Sequence, residues 1–245
     1  MAIPESAGAF RRVATGLCFV VAPLPFVFAF AVHPGLLHPH FLSPAELILR
    51  ARGAPLLQLG HGLVTLDTAL LLVIALHFIG VLDRAGSPRT GLIGGVAAGL
   101  GALALVADKA ALCLSMSAFE RLSDAEFAGM QPGLLALFEK QGWLVLLWGI
   151  VLLPAGFAIQ AVGLLRSGVL PRWQGLLFLA AAVLIATPDG AEVVNLSASI
   201  LLALAFFPYG IRLMRPPVAQ RLVAGIQLEP GRAVRRRATA SFHER

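Results

Sequence analysis

Charge is what this sequence has least of. Only 13% of its 245 residues are Asp, Glu, Lys or Arg, against ~25% in a soluble domain. With 58% hydrophobic residues and a mean hydropathy of +0.84, the chain carries more apolar surface than a soluble domain of its size can bury. Lipid is therefore its solvent. Cysteine is nearly absent: Cys18 and Cys113 both lie in apolar runs and form no CxxC, which argues against a dithiol redox site or a thiolate zinc site. HExxH, GxSxG, a Walker loop and a dinucleotide-binding glycine pattern are all missing, so no familiar metalloprotease, hydrolase, nucleotide or nicotinamide chemistry is indicated.

The formal net charge of +6 comes from seventeen arginines and two lysines. No nucleic-acid recognition motif accompanies it, and nucleic acid is not expected as a partner. The charge lies in turns and in the carboxyl-terminal tail, as it does at the cytoplasmic flanks of membrane helices.

After a polar start of twelve residues, Val13 to about Val32 is the first apolar run, interrupted by Pro23 and Pro25, where a kink is expected. Ala29-Phe30-Ala31 resembles a signal-peptidase site, but the run exceeds an h-region of ~7–15 residues, so a retained helix is expected. Residues 33–55 form a loop in which Ser43-Pro44-Ala45-Glu46 makes a capping box with Pro at the first helical position, predicting a short surface helix that Gly53 can end. Leu56 to Leu82 is the second span and Gly91 to about Ser117 the third. The third carries a stripe, Gly91, Gly95, Gly99 and Ala102, suited to close helix approach. Glu120 to Pro132 is read as a loop with a second capping box, Ser123 to Glu126. Gly142 to Leu165 is the fourth span, with Trp143 at the interface, Gln174 to about Thr187 the fifth, and Val193 to Met214 the sixth. The fold expected is all-α, a polytopic bundle of six transmembrane helices over residues 1–215. A basic tail, 216–245, has the composition of a disordered cytoplasmic segment.

Arginine bias orients the bundle. With the amino terminus in the cytoplasm, Arg11, Arg12, Arg84, Arg89, Arg166, Arg172 and the eight arginines from Arg212 to Arg245 fall inside. Only Arg50, Arg52, Arg121, Lys109 and Lys140 fall toward the outside, fourteen against five, and most acids go the other way. The expected localisation is a cell membrane, multi-pass, with both termini cytoplasmic.

Two patterns recur in register. Leu42-Ser-x-Ala-Glu46 matches Leu122-Ser-x-Ala-Glu126, and the turn Arg84-Ala-Gly-Ser-Pro-Arg-Thr-Gly-Leu92 matches Arg166-Ser-Gly-Val-Leu-Pro-Arg-Trp-Gln-Gly-Leu176, at offsets of 80 and 82 residues. This predicts a duplicated two-span unit, about 42–108 and 122–189, its copies related by an axis along the membrane normal. The later turn, through Gly168, Pro171, Arg172, Trp173 and Gly175, resembles a group of uncharacterised bacterial six-span membrane proteins defined only as a domain of unknown function. The resemblance covers about a third of the chain. It implies a six-helix protein of the bacterial inner membrane and carries over no catalytic residue.

The polar residues at membrane depth are the candidates for a site, because buried charges there pair or line a cavity. On this topology His61, Asp67, Asp108, Lys109, Glu139, Lys140, Asp189, Glu192 and Asn195 all lie in the outer half or at its rim, where one outward crevice can gather several, and all but Lys140 are taken as ligand-binding candidates. As plain structure, Glu139, Lys140, Asp189 and Glu192 are interfacial charges, and Lys109, next to Asp108, is expected to point elsewhere. His61 and Asp67 are six residues apart, ~120° around a helix, so they do not share a face. The stripe Gln58, His61, Thr65 and Thr68 is expected to point into the bundle, His61 as a hydrogen-bonded core histidine. His33, His38 and His40 lack fixed metal-ligand spacing, and no metal or cofactor is expected. His61 and His77 are too far apart on one span to hold a single haem. The functions left open are binding of a lipid, a protein partner or a second copy; carriage of ions or small solutes through an outward-facing polar crevice; and intramembrane catalysis at the outer face.

Overall fold

The computed structural model describes residues 5–37, 42–187 and 191–216. Asp189, His38, His40 and the tail from 217 onward lie outside the described residues. Nine α-helices and one 3₁₀ segment make up the described chain: α1 (Glu5–Val21), α2 (Pro23–Ala31), α3 (Pro44–Ala51), α4 (Pro55–Arg84), α5 (Pro88–Phe119), α6 (Asp124–Phe138), the 3₁₀ segment Gly142–Val151, α7 (Leu152–Arg166), α8 (Arg172–Leu184) and α9 (Glu192–Met214).

Five of the resulting segments are long and apolar enough to cross a membrane: Ala7–Ala31, Pro55–Arg84, Pro88–Phe119, Gly142–Arg166 and Glu192–Met214. α8, read from sequence as a full span, has only 13 residues. That is ~20 Å of helix, short of the ~30 Å of hydrocarbon. Two further boundaries differ from expectation. Helix begins at Glu5, inside the supposedly polar start, and the Glu120–Pro132 stretch is mostly helical because the Ser123 cap starts α6 at Asp124.

Local chemistry explains the element ends. Pro23 and Pro25 cannot return an N–H to the preceding turn, and the first apolar run divides at Ala22 into α1 and α2. Both capping boxes form: Ser43 and Ser123 each accept from the N3 backbone N–H, and Glu46 and Glu126 each reach back to the cap N–H. The two arginine-bearing turns are built alike. Gly86 (φ 76°) and Gly168 (φ 67°) each take the left-handed position just past a helix end, which a side chain would strain.

The helices pack as antiparallel neighbours, α4 on α5, α5 on α7, α7 on α8, α8 on α9, and α9 back on α1 and α2. Close approach is set by glycine. A Cβ on Gly94 would meet the Gly156 carbonyl oxygen at 2.7 Å, and one on Gly156 or Gly101 would strike the backbone at Ala98 or Leu153. The stripe read from sequence therefore has a tighter companion. Gly91 and Gly95 pack on Leu82 and Ile79 of α4, whereas Gly94, Ala98 and Gly101, one residue round, form the face that α7 touches.

The bundle has two unlike ends. The arginine-bearing turns share one end, where Phe19, Phe78, Phe178, Phe206 and Tyr209 stack edge to face with centroids 4.8 to 6.2 Å apart. At the other end α3 and α6 pack on each other across Ile48, Met116, Phe127 and Leu134. Arg52 holds the pair together. Its guanidinium donates to Asp124 (2.8 Å) and to the Leu122 carbonyl (2.6 Å) and lies 4.4 Å from the Phe127 ring centroid.

Candidate functional site

Beneath α3 and α6 lies a cavity of about 610 Å³, within the ~300–1,000 Å³ of ligand sites. It runs from Glu192 at the head of α9 down to Leu202, and to Phe157 and Phe178 on the neighbouring helices. Ten residues of α9 correspond to ~15 Å, about half the hydrocarbon thickness. Its lower walls are apolar: Phe26 and Phe30 from α2, Val64 and Leu71 from α4, Leu105 from α5, Ala182 from α8. The aromatic stack at the arginine-rich end closes its floor.

Polar groups gather at the mouth in two sets. The first is on α5 and the end of α6. Lys140 Nζ lies 3.0 Å from Asp108 Oδ1, and Lys109 Nζ lies 3.7 Å from Asp108 Oδ2. Lys109 thus turns back toward its neighbour's carboxylate, contrary to the sequence expectation, because the lysine stem is long enough to reach around the helix. Lys140 is only 8% exposed, and its ammonium is 5.2 Å from the Trp148 ring centroid. It is the one described non-glycine residue with positive φ (56°). α6 ends in a Schellman motif, with Gln141 N–H donating to the Ala136 carbonyl (3.0 Å) and Lys140 N–H to that of Leu137 (3.2 Å). Lys140 takes the place that glycine fills after α4 and α7, at a conformational cost of ~1–2 kcal/mol. The ion pair with Asp108 and the contact with Trp148 offset that cost. Such strain is what marks a position held for its side chain.

The second set is on α9 and the loop after α2. Glu192 is 2% exposed, and its Oε1 lies 3.4 Å from His33 Nδ1. The Gly35 N–H donates to that same nitrogen at 3.2 Å. His33 Nδ1 thus sits between a backbone donor and the Glu192 carboxyl. Beside it, Thr187 Oγ lies 2.9 Å from Asn195 Oδ1, tying the end of α8 to the start of α9.

The sequence-derived candidates divide as follows. His61, Asp108, Lys109, Glu139, Glu192 and Asn195 all line this cavity. Glu139 is exposed at the rim, where it accepts from Gln141 Nε2 at 2.7 Å. Lys140 and Glu192 are buried, so their reading as ordinary interfacial charges is corrected: Lys140 packs against Asp108 and Trp148, and Glu192 against His33 and Gly35, tertiary contacts that no local pattern announces. Asp67 is buried at 3% exposure but stands outside the cavity lining, and Asp189 lies outside the described residues. Of the polar stripe on α4, Thr65 bonds back to the His61 carbonyl (2.8 Å) and Thr68 to that of Thr65, while His61 faces the cavity. His77 is in the other half, 2.8 Å from the Tyr209 hydroxyl.

Sequence reasoning counted Lys140 among the polar residues at membrane depth but favoured reading it as an interfacial charge, weighed His33 only as a metal ligand, and passed over Trp148. One signal was available: Lys109 and Lys140 are the chain's two lysines, set among seventeen arginines, and both come to one carboxylate. Among the described residues no three His, Cys, Asp or Glu side chains are placed to hold a metal ion.

The start of α6 gives one group whose titration follows from geometry. The Ser123 hydroxyl and backbone N–H both bond Glu126, at 2.7 and 2.9 Å, and hold its carboxyl below its ordinary value of 4.5.

The fold and site thus define an all-helical bundle, with five segments long and apolar enough to cross a membrane, around a mostly apolar cavity. No family model, no curated protein and no solved structure matches the chain. The resemblance at the Gly168 to Gly175 turn rests on those residues alone.

Proposed function

We propose that this chain is a six-span membrane protein that binds an amphiphile, a membrane lipid or a molecule built like one, in the cavity beneath α3 and α6. The observation that carries this reading is the cavity's division: apolar walls over the ~10 Å from Asn195 down to Leu202, with ion pairs and amides toward the mouth. An acyl chain suits the walls, and a polar head suits a rim that offers Lys140, Lys109, Asp108, Glu192 and Asn195. Carriage of ions is less well supported. Phe157 and Phe178 line the bottom of the cavity, and the aromatic stack lies beyond them, so no polar path continues to the arginine-rich end. Catalysis at the outer face is less well supported, since Asp108, Lys109 and Lys140 at the mouth are engaged with one another and no three metal-ligating side chains come together among the described residues.

The six-span reading draws support from α8 and its neighbour. Gln174 donates to the Ala205 carbonyl and accepts from Arg212 (2.6 Å), while Thr187 meets Asn195. From Gln174 to Thr187 the chain therefore accompanies α9 from Arg212 to Asn195, ~25 Å of helical rise. The paired capping boxes and the paired Gly86 and Gly168 turns support the duplication. The arginine asymmetry supports a cytoplasmic location for both termini. A reporter active only in the cytoplasm, fused after Arg84, after Arg166 and at the carboxyl terminus, should be active at all three; activity at none reverses the orientation.

Binding is tested with a photoactivatable fatty-acyl probe in detergent, mapped by mass spectrometry. Crosslinks should fall on cavity residues such as Leu105 and Ala182, and Ala182→Trp should remove them. Crosslinks confined to the outer, lipid-facing surface, unchanged by Ala182→Trp, would contradict the reading.

A further inference from the structure

The middle of α4 holds a group that the cavity does not use. Asp67 is 3% exposed, and neither of its carboxyl oxygens has a hydrogen-bond partner. The contacts on either side fix what it faces. A Cβ on Gly60 would lie 3.0 Å from Ala29 Cα, and the Phe78 ring lies 5.2 Å from that of Phe19. α4 runs antiparallel to α1 and α2 between these two points. These two contacts bracket Asp67 against the stretch from Ala29 back to Phe19, which holds the break at Ala22. Seven residues is within ~20° of two whole turns, so Asp67 shares the face of Gly60. It faces the stretch that contains the break between α1 and α2, where Ala22 and Pro23 are fully buried.

That break supplies acceptors. Pro23 and Pro25 have no N–H, so the carbonyls of Phe19 and Val21 receive no bond from the next helical turn. The cations on the helices packed here, Arg11 and Arg12 on α1, Arg84 on α4 itself and Arg89 on α5, belong to the arginine-rich end, Arg12 six residues before Cys18. Cys18 is the titratable group on the neighbouring turn of α1, and α2 carries none. α7 has only Arg166 at its far end. On α5, Asp108 and Lys109 belong to the cavity mouth, as does His61 on α4 itself, and His77 is engaged with Tyr209. A bare carboxylate cannot persist at this depth without a partner, whereas a carboxylic acid can donate its O–H to a free carbonyl oxygen.

We propose that Asp67 and the proline-freed carbonyls of Phe19 and Val21 form an intramembrane proton-binding site. The inference does not depend on the amphiphile reading. The two meet in space, because Val64 and Leu71, one turn to either side of Asp67, line the cavity. The site is thus one side chain's thickness behind the cavity wall. Loss of the proton requires water or a cation to enter the break.

Infrared spectroscopy of the purified protein with ¹³C-labelled aspartate tests this. At neutral pH, with the exposed carboxyls ionised, a protonated-carboxyl C=O band that shifts with the label should be present. It should vanish in Asp67→Asn and move in Pro23→Ala or Pro25→Ala, each of which returns an N–H to one carbonyl. Absence of the band from the labelled wild-type protein overturns the proposal, and that measurement needs no variant to fold. A band that survives Asp67→Asn assigns the proton elsewhere and also overturns it. A band lost in Asp67→Asn but unmoved by both proline variants removes the carbonyls from the site. A band abolished by sodium ions at constant pH shows a metal-cation site instead.

Discussion

The two halves of this bundle solve one problem in opposite ways. Each must bury polar side chains in a solvent that offers no hydrogen bonds. The arginine-rich half does so with side-chain amides and aromatic rings. Gln160 donates to the Ala75 and Gly91 carbonyls (3.0 and 3.4 Å), Gln174 bridges Ala205 and Arg212, His77 meets Tyr209, and aromatic rings fill what remains. The opposite half keeps its polar groups as charges, paired around a cavity. The difference separates stability from function. Amides that reach backbone carbonyls lock helices to one another, whereas charges around a void keep their ability to meet a ligand.

The sharpest break of the comparison falls on the packed side. Gly156→Leu would drive a side chain into the α5 backbone at Ala98 and Gly94. Its cost should reach or exceed the upper end of the ~1–3 kcal/mol typical of overpacking, read as a collapse of the melting temperature in detergent. Gln174→Leu comes next, because it leaves Arg212 without its acceptor and the Ala205 carbonyl without its donor. A loss of ~1–3 kcal/mol is expected.

On the cavity side the effects are smaller and separable. Lys140→Met removes the cation nearer Asp108 but keeps the strained backbone, whereas Lys140→Gly removes the charge and the strain together. Glycine at this position should therefore be the more stable of the two by ~1 kcal/mol, while both should weaken capture of an anionic amphiphile. Equal melting temperatures would show that the backbone is unstrained there. The smallest effect is on the lid. Ser123→Ala should cost ~1 kcal/mol of local helix stability. It should also blunt an acid-dependent loosening of α6, measured by hydrogen exchange. Glu126 is depressed by its bonds from Ser123, so its contribution is present above its ordinary value of 4.5 and lost as pH falls through the lower folded value.

What the sequence disclosed follows the same division. Local chemistry was legible. The capping boxes at Ser43 and Ser123, the proline break near Pro23 and the glycine turn at Gly86 all appear where the residues put them, since each needs only neighbours in the chain. Six of the eight candidate polar residues line one cavity because charges at membrane depth have few places to go. What was hidden depended on tertiary contact. The burial of Lys140 and Glu192, the return of Lys109 to Asp108 and the α5 face that meets α7 are set by helices far away in sequence. The 3₁₀ winding of Gly142–Val151 was hidden too, since an apolar run reads alike whether it winds with three residues per turn or 3.6.

The central claim is that the space under α3 and α6 is a binding site rather than a packing defect. Crosslinking with the acyl probe, followed by residue mapping in the wild-type protein and in Ala182→Trp, tests it most directly. The account predicts label on Leu105, Ala182 and their neighbours in the wild type and its loss when tryptophan fills the space, with the melting temperature unchanged or raised. Label restricted to the outer surface in both proteins would contradict it.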